Sequence, residues 1–362
     1  MDKRIVFAVA GSGKTYYIAN HFDINKSVLL LSFTNANVEN IRKEVRDRFN
    51  GIVPLNVEIM TFDSFVYNHL IRPLEVVSKF NDIVSTGVEL NKPETDTTSR
   101  KYIKKESKYH YITHANKFYN LRMSKFFNNQ SASYKKMALR RLEKFFDVIY
   151  FDEFQDYTGE SFKLMKFILE KSDLDVISVG DIYQSNVSPI RQDGSGSSVP
   201  FNKVNTVEDL KPKFSEKINL DENTLNNSRR VPQEICTFIS EKLGIPIQSC
   251  SEIKGEYIWL FENKEMTGIL SDTSIPKLIW NRKTSTDYIN NFITWSYSKG
   301  DTYTEACVIL TETASNVDKW GQMSNNTRNT LYVALTRATE KIYLITATAY
   351  KAWINKQVEL QE

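Results

Sequence analysis

Short apolar runs, rich in Val, Ile and Leu, fall at 4–9, 28–34, 57–61, 148–152 and 175–180, and helix-like segments separate them. A near-continuous apolar run is what a strand covered on both faces requires, so the alternation predicts βα units around a parallel sheet. Helices are expected to start near Lys14, Asn35, Phe62 and Thr158. A second series predicts strands at 257–261, 277–280, 306–311 and 341–346, with helices after Pro232, Ser285 and Thr327. Between the two series, the polar Gly/Ser/Pro-containing stretch 186–202 reads as loop. The pattern predicts an α/β chain of two domains, 1–205 and 206–362, each with its own parallel sheet. Residues 66–146 break the alternation and are expected to form a helical insertion in the first domain.

Composition agrees with that division. A chain of 362 residues exceeds the usual single-domain size. With 41% hydrophobic and 25% charged residues it reads as globular, and no apolar run approaches the roughly 18 residues that cross a membrane. The apolar stretch near the start runs straight into a glycine-rich loop, so no secretory signal is expected and the setting reads as cytoplasmic. Cys236, Cys250 and Cys307 are widely spaced and odd in number, which fits neither a disulfide framework nor a zinc site; reduced core residues are expected. A net charge of +3 does not mark a nucleic-acid binder, but its distribution is uneven. Twelve Lys and Arg lie between Lys101 and Lys144 against Glu106 and Glu143 alone, interleaved with Tyr and Phe, which makes the insertion a candidate nucleic-acid surface.

The strongest chemical signal is Ala8-Val9-Ala10-Gly11-Ser12-Gly13-Lys14-Thr15, between an expected strand and an expected helix. The backbone N–H groups of Ala10, Gly11, Ser12 and Gly13 can close around a phosphate. Lys14 would neutralise the outer phosphates, and the Thr15 hydroxyl would ligate Mg²⁺. Such a loop needs a metal and water partner. Asp152 and Glu153, at the end of a buried strand, supply one: Asp152 to hold Mg²⁺ and Glu153 to orient and deprotonate the attacking water. The combination favours an NTPase over a small-molecule kinase.

Asp152-Glu153-Phe154-Gln155-Asp156 resembles the DExQD box of the superfamily 1 helicases of the UvrD/Rep/PcrA type, and further boxes follow in order. Ser32 to Ala36 is similar to motif Ia, Thr61 to Phe65 to motif Ib, Gly180 to Gln184 to motif III, Asn227 to Arg229 to motif IV, Ser298 to Gly300 to motif V, and Val333 to Ala338 to motif VI. The resemblance spans positions 8 to 338. It implies two RecA-like phosphate-loop domains with ATP and Mg²⁺ in the cleft between them. Lys14, Thr15, Asp152, Glu153 and Gln184 would face the nucleotide from the first domain, and Arg229 and Arg337 from the second. It also implies a nucleic-acid track along Phe33, Thr34, Asn35, Thr61, Ser64 and Lys299. The partner would be single-stranded DNA, with RNA as the alternative, and movement would run 3′→5′. A nuclease or a repair or defence protein is the kind of companion such a motor takes.

The sequence departs from that pattern in ways that shape the expectation. Too few residues precede the phosphate loop for an adenine-reading glutamine motif, and the base-stacking tyrosine of motif IV is Ser228, so weak discrimination between nucleobases is expected. The run from Ser185 to Ile190 lacks the aromatic that follows motif III in the family. Ser296 and Thr302 replace the histidine and acidic residue of motif V. Roughly sixty residues between Arg229 and Thr294 leave no room for a large second-domain insertion, which favours translocation over processive strand separation. Two rivals remain: a viral-type superfamily 1 RNA helicase, and a nucleotide-regulated clamp or partner-recruiting module.

Overall fold

The computed structural model describes residues 1–185, 187, 200, 201, 204 and 206–360. Of the loop expected at 186–202 only Val187, Pro200 and Phe201 are among them, and most of the altered continuation of motif III lies outside the described residues.

Two parallel sheets form the frame. The first contains β1 (Lys3–Ala8), β2 (Val28–Ser32) and β3 (Val57–Thr61). Two short strands in the insertion, β4 (Gly87–Glu89) and β5 (Lys117–Tyr119), pair with each other and join neither large sheet. The first sheet then resumes with β6 (Val148–Phe151), β7 (Asp175–Gly180) and β8 (Asn219–Leu225), in the order β3-β2-β6-β7-β1-β8. Another short pair follows, β9 (Asn227–Ser228) with β10 (Gln248–Ser249). The second sheet comprises β11 (Glu256–Trp259), β12 (Lys277–Ile279), β13 (Phe292–Thr294), β14 (Tyr303–Ile309) and β15 (Ala338–Ile345), in the order β11-β15-β14-β12-β13. The strands that the apolar runs predicted are all present. Within the two large sheets, two strands had no such signal: the edge strand β13, and β8, which joins the first sheet from beyond the expected boundary at 205.

Helices cover these sheets. On the first half lie α1 (Lys14–Asn20), α2 (Asn35–Arg48), α3 (Phe62–Phe65), α4 (Asn120–Asn128), α5 (Ala132–Phe145) and α6 (Gly159–Lys171). The second half has α7 (Gln233–Leu243), α8 (Asn263–Ser271), α9 (Asn325–Leu335) and α10 (Ala347–Glu359). The helix expected after Ser285 is absent. A short 3₁₀ turn (Arg282–Thr284) precedes an irregular stretch ending at Asn291 in a left-handed conformation (φ 63°), which ends any helix there and starts β13.

The insertion is helical only in part. Its 3₁₀ turn (Arg72–Val77) gives way to irregular chain through Asn91-Lys92-Pro93, where Asn, Pro, Asp, Thr and Ser compete with helix for backbone hydrogen bonds. The aromatics there are core rather than surface: Tyr111, Phe118, Phe126, Phe127 and Tyr134 are all buried. Arg122 is buried too, its guanidinium donating to the backbone carbonyls of His110 and Glu94. Lys108 pairs with Asp82, while Lys101, Lys104, Lys105, Lys136, Arg140 and Lys144 are exposed. Cys236 and Cys307 are core residues as expected, whereas Cys250 is exposed.

Candidate nucleotide site

The phosphate loop closes between β1 and α1. Gly11 and Gly13 adopt left-handed conformations (φ 73° and 90°) that a side chain disfavours. At Gly11 space forbids one as well, because a Cβ would lie 2.7 Å from both Arg230 Cβ and Ser228 Oγ. The loop is thus packed against a segment from the second half of the chain. Two hydrogen bonds reinforce that contact: Arg229 N–H donates to Gly11 O at 2.9 Å, and Ala10 N–H donates to the buried Tyr332 hydroxyl at 2.9 Å.

The acidic pair stands beside the loop. Asp152 is 3% exposed; its Oδ2 accepts from Ser32 Oγ at 3.0 Å, while its Oδ1 is buried with no hydrogen-bond partner. Burial, and then the charge of Glu153, push its carboxyl up to about 7. Glu153 sits at a left-handed backbone position (φ 50°) that turns it toward Lys14, whose Nζ is 3.7 Å away. Burial would raise its pKa, but Lys14 and then Lys299 outweigh that, and the Glu153 carboxyl stays below its usual range. Gln155 bridges the box to motif III: its Nε2 donates to Glu153, and its Oε1 accepts from Asp181 N–H at 2.9 Å. Gly180 must be glycine for this, since a Cβ there would collide with Gln155 Oε1. Asp181, fully buried, accepts from Gln184 Nε2 at 2.9 Å and from the Tyr332 hydroxyl at 3.2 Å. Its carboxyl is pushed up to about 6 by burial, with Lys14 opposing.

Across from these groups stand residues of the second sheet. Lys299, expected on a nucleic-acid track, stands here: its Nζ is 2.8 Å from both carboxylate oxygens of Asp156, and the two side chains are only 13% and 5% exposed. Arg337, 1% exposed, donates from Nε to Val333 O at 2.8 Å and from Nη1 to Asp301 O at 3.2 Å, and so ties down the loop that carries Lys299. Burial, then repulsion from Arg230, lowers its pKa to about 9. Lys14, Thr15, Glu153, Gln184, Lys299 and Arg337 line a single cleft of 830 Å³ with Gly11, Ser12 and Gly13. The arginine that joins them there from motif IV is Arg230, not Arg229. Arg229 is exposed at the mouth, its Cζ 5.6 Å from the centre of the Tyr16 ring.

The expected track residues are only partly brought together. Phe33 packs on Tyr157 (ring centres 4.2 Å apart) and Phe62 (5.6 Å) and stays partly exposed, whereas Phe65 is fully buried. The Thr34 and Thr61 hydroxyls cap α2 and α3, accepting from Asn37 N–H and Ser64 N–H, while Asn35 is exposed at the start of α2. Thr61 also donates to the Ser64 hydroxyl at 2.9 Å.

Two parallel sheets facing each other across a phosphate loop, an acidic strand end and a set of cations define a RecA-like phosphate-loop core. The model of the UvrD/REP helicase N-terminal domain matches residues 2–132, and that of the viral superfamily 1 RNA helicase core domain matches 97–346. The chain belongs to the superfamily 1 helicases. No curated protein matches it. Among solved structures it is similar to the arterivirus nonstructural protein 10 helicase, at 13% identity over 95% of this chain and 59% of that one (TM-score 0.49). The same arterivirus helicase in complex with DNA gives 13% over 94% and 60% (0.48), and the PRRSV helicase 12% over 95% and 52% (0.45). The chain spans at most about three-fifths of the length of these structures. No described helix is long and apolar enough to cross a membrane.

Proposed function

We propose that the chain hydrolyses ATP with Mg²⁺ and uses the cycle to move 3′→5′ along single-stranded DNA. The observation that carries this reading is the single cleft in which Lys14, Glu153 and Gln184 from the first half of the chain face Arg230, Lys299 and Arg337 from the second. The donor set fits the metal. The free Asp152 Oδ1 and the Thr15 hydroxyl are hard oxygen ligands, few in number, as a site completed by phosphate oxygens requires. Bound Mg²⁺ would neutralise charge on the phosphate oxygens. Lys14 lies where it can share that work, and Glu153, kept ionised by Lys14 and Lys299, can take the proton from an attacking water. Cations on the opposite wall would meet the growing transition-state charge only when the cleft is shut, which links hydrolysis to relative movement of the sheets.

The match to the viral RNA helicase core over 97–346 favours a second reading, with RNA as the strand. The lysines left exposed on the insertion, Lys101, Lys104 and Lys105, support phosphate contact with either. A cytoplasmic setting and a nuclease, repair or defence partner belong to the same reading.

The deciding experiment is steady-state hydrolysis with single-stranded DNA, single-stranded RNA or neither, comparing wild type with Lys14→Ala. Stimulation by one strand type and loss of turnover in a variant of unchanged melting temperature are expected. Full turnover in Lys14→Ala would overturn the assignment.

A further inference from the structure

Behind the cleft, one hydroxyl from the second half of the chain serves two segments of the first. Tyr332 lies on α9, fully buried, with its ring edge-on to Tyr183 (ring centres 6.1 Å apart, planes at 70°). Its oxygen accepts from Ala10 N–H at 2.9 Å, and its proton is donated to Asp181 Oδ2 at 3.2 Å. Burial, then the charge of Asp181, raises its pKa well above the ordinary tyrosine value, so the phenol stays protonated and keeps its donor. Asp181 in turn holds Gln184. The same Oδ2 accepts from Gln184 Nε2 at 2.9 Å, while Oδ1 accepts from Tyr183 N–H at 3.0 Å. A carboxylate can only accept, so the Gln184 amide has one orientation there, with its nitrogen toward Asp181. Gln184 lines the cleft together with Lys14 and Glu153. A continuous run of hydrogen bonds thus joins the phosphate loop to a cleft side chain, and one member of the run belongs to the other half of the chain.

We infer that Tyr332 is a positioning residue for hydrolysis, fixing Gln184 against the phosphate loop only while the second half of the chain is docked. This rests on the proposed nucleotide hydrolysis. Tyr332 is not among the residues lining the cleft, so it acts through Gln184 and not on the nucleotide. Docking of α9 and orientation of the glutamine amide rise and fall together. A nucleotide bound while α9 is undocked meets Lys14 and Glu153, but a glutamine free to turn. Turnover is confined to the docked arrangement, and binding is not.

The test is a double-mutant cycle of Tyr332→Phe and Gln184→Ala. Each protein is assayed for kcat and KM with ATP, and for ADP affinity by titration calorimetry, below the lowest melting temperature of the set. Loss of one hydrogen bond that orients a group in the site corresponds to about tenfold in rate. Tyr332→Phe should lower kcat about tenfold with KM and ADP affinity unchanged. In the Gln184→Ala background it should change kcat by less than about twofold, because the group it acts on is gone. Asp181→Asn, which replaces one acceptor oxygen by a donor, should give the same pattern and serves if Tyr332→Phe does not fold. An unchanged kcat, or two effects that multiply, would overturn the inference while leaving nucleotide hydrolysis intact. Tighter ADP binding in Tyr332→Phe would also overturn it, showing that the hydroxyl competes with nucleotide for Ala10 N–H. Failure of wild type to hydrolyse ATP would overturn both readings.

Discussion

The Lys299–Asp156 pair offers the sharpest separation between two roles for one residue. In Lys299→Met the apolar stem is kept and the charge removed. Asp156 is then left 5% exposed, without the cation that now sits 2.8 Å from both its oxygens. Breaking one side of a buried pair costs about 3–5 kcal/mol, because the remaining charge stays desolvated. Burial already raises the Asp156 pKa against the pull of Lys299, so in the variant the carboxyl will take up a proton and recover part of that loss. A net destabilisation of about 2–3 kcal/mol is expected at pH 7, smaller at pH 5. Asp156→Asn in the same background should restore most of it. Calorimetric melting of the four proteins of the cycle measures this, and hydrolysis should fall with Lys299 whichever residue stands at 156. Single-strand binding against salt supplies the contrast. If Lys299 held a strand phosphate, its removal would flatten the log-log slope by about 0.7, whereas a residue facing the nucleotide leaves the slope unchanged. An unchanged melting temperature together with a flattened slope would refute the placement of Lys299 in the cleft.

Two further outcomes follow from buried groups. His110 donates from Nδ1 to Ile103 O at 2.6 Å, and its Nε2 is buried with no partner; burial lowers its pKa from 6.5 to about 4. A depressed folded-state pKa gives stability that is present above pH 6.5 and lost as pH falls through 4, here roughly 2 kcal/mol after solvent screening, and His110→Asn should show a shallower loss in melting temperature over that range. Tyr332→Phe removes the hydroxyl that serves both Ala10 N–H and Asp181, leaving a buried donor unmet. It should cost about 1–3 kcal/mol, read as a drop of a few degrees in melting temperature, and an unchanged value would mean that this hydroxyl contributes nothing.

How much of this was legible beforehand depended on how far apart the cooperating residues lie. The phosphate loop and Asp152-Glu153 are each spelled by a few consecutive residues at a strand end, and the parallel strands by apolar runs. The pairing of Lys299 had no sequence signal because its partner is 143 positions away, and only the folded chain brings them together. Arg229 and Arg230 are neighbours, and which enters the cleft is decided by the turn that Ser228 Oγ holds, a detail with no sequence signature. β8 was missed because Asn219-Leu220-Asp221-Glu222-Asn223-Thr224 carries no apolar run. It is an edge strand, mostly exposed, recruited by pairing with β1. The insertion's Tyr and Phe looked like stacking groups beside cations, but a segment inserted between strands still needs a core of its own, and they supply it.

The manner in which β8 ends has a mechanical consequence. Val9 N–H donates to Leu225 O at 3.0 Å, and four residues later Arg229 is bonded to Gly11. Four residues reach at most about 14 Å, so the second half of the chain is moored within a few ångströms of the phosphate loop itself. Any swing of that half must pivot there. A fulcrum placed at the fuel inlet gives a short input arm and a long output arm, so that a shift of an ångström beside the phosphates becomes several in the parts of that half that lie farthest from the loop.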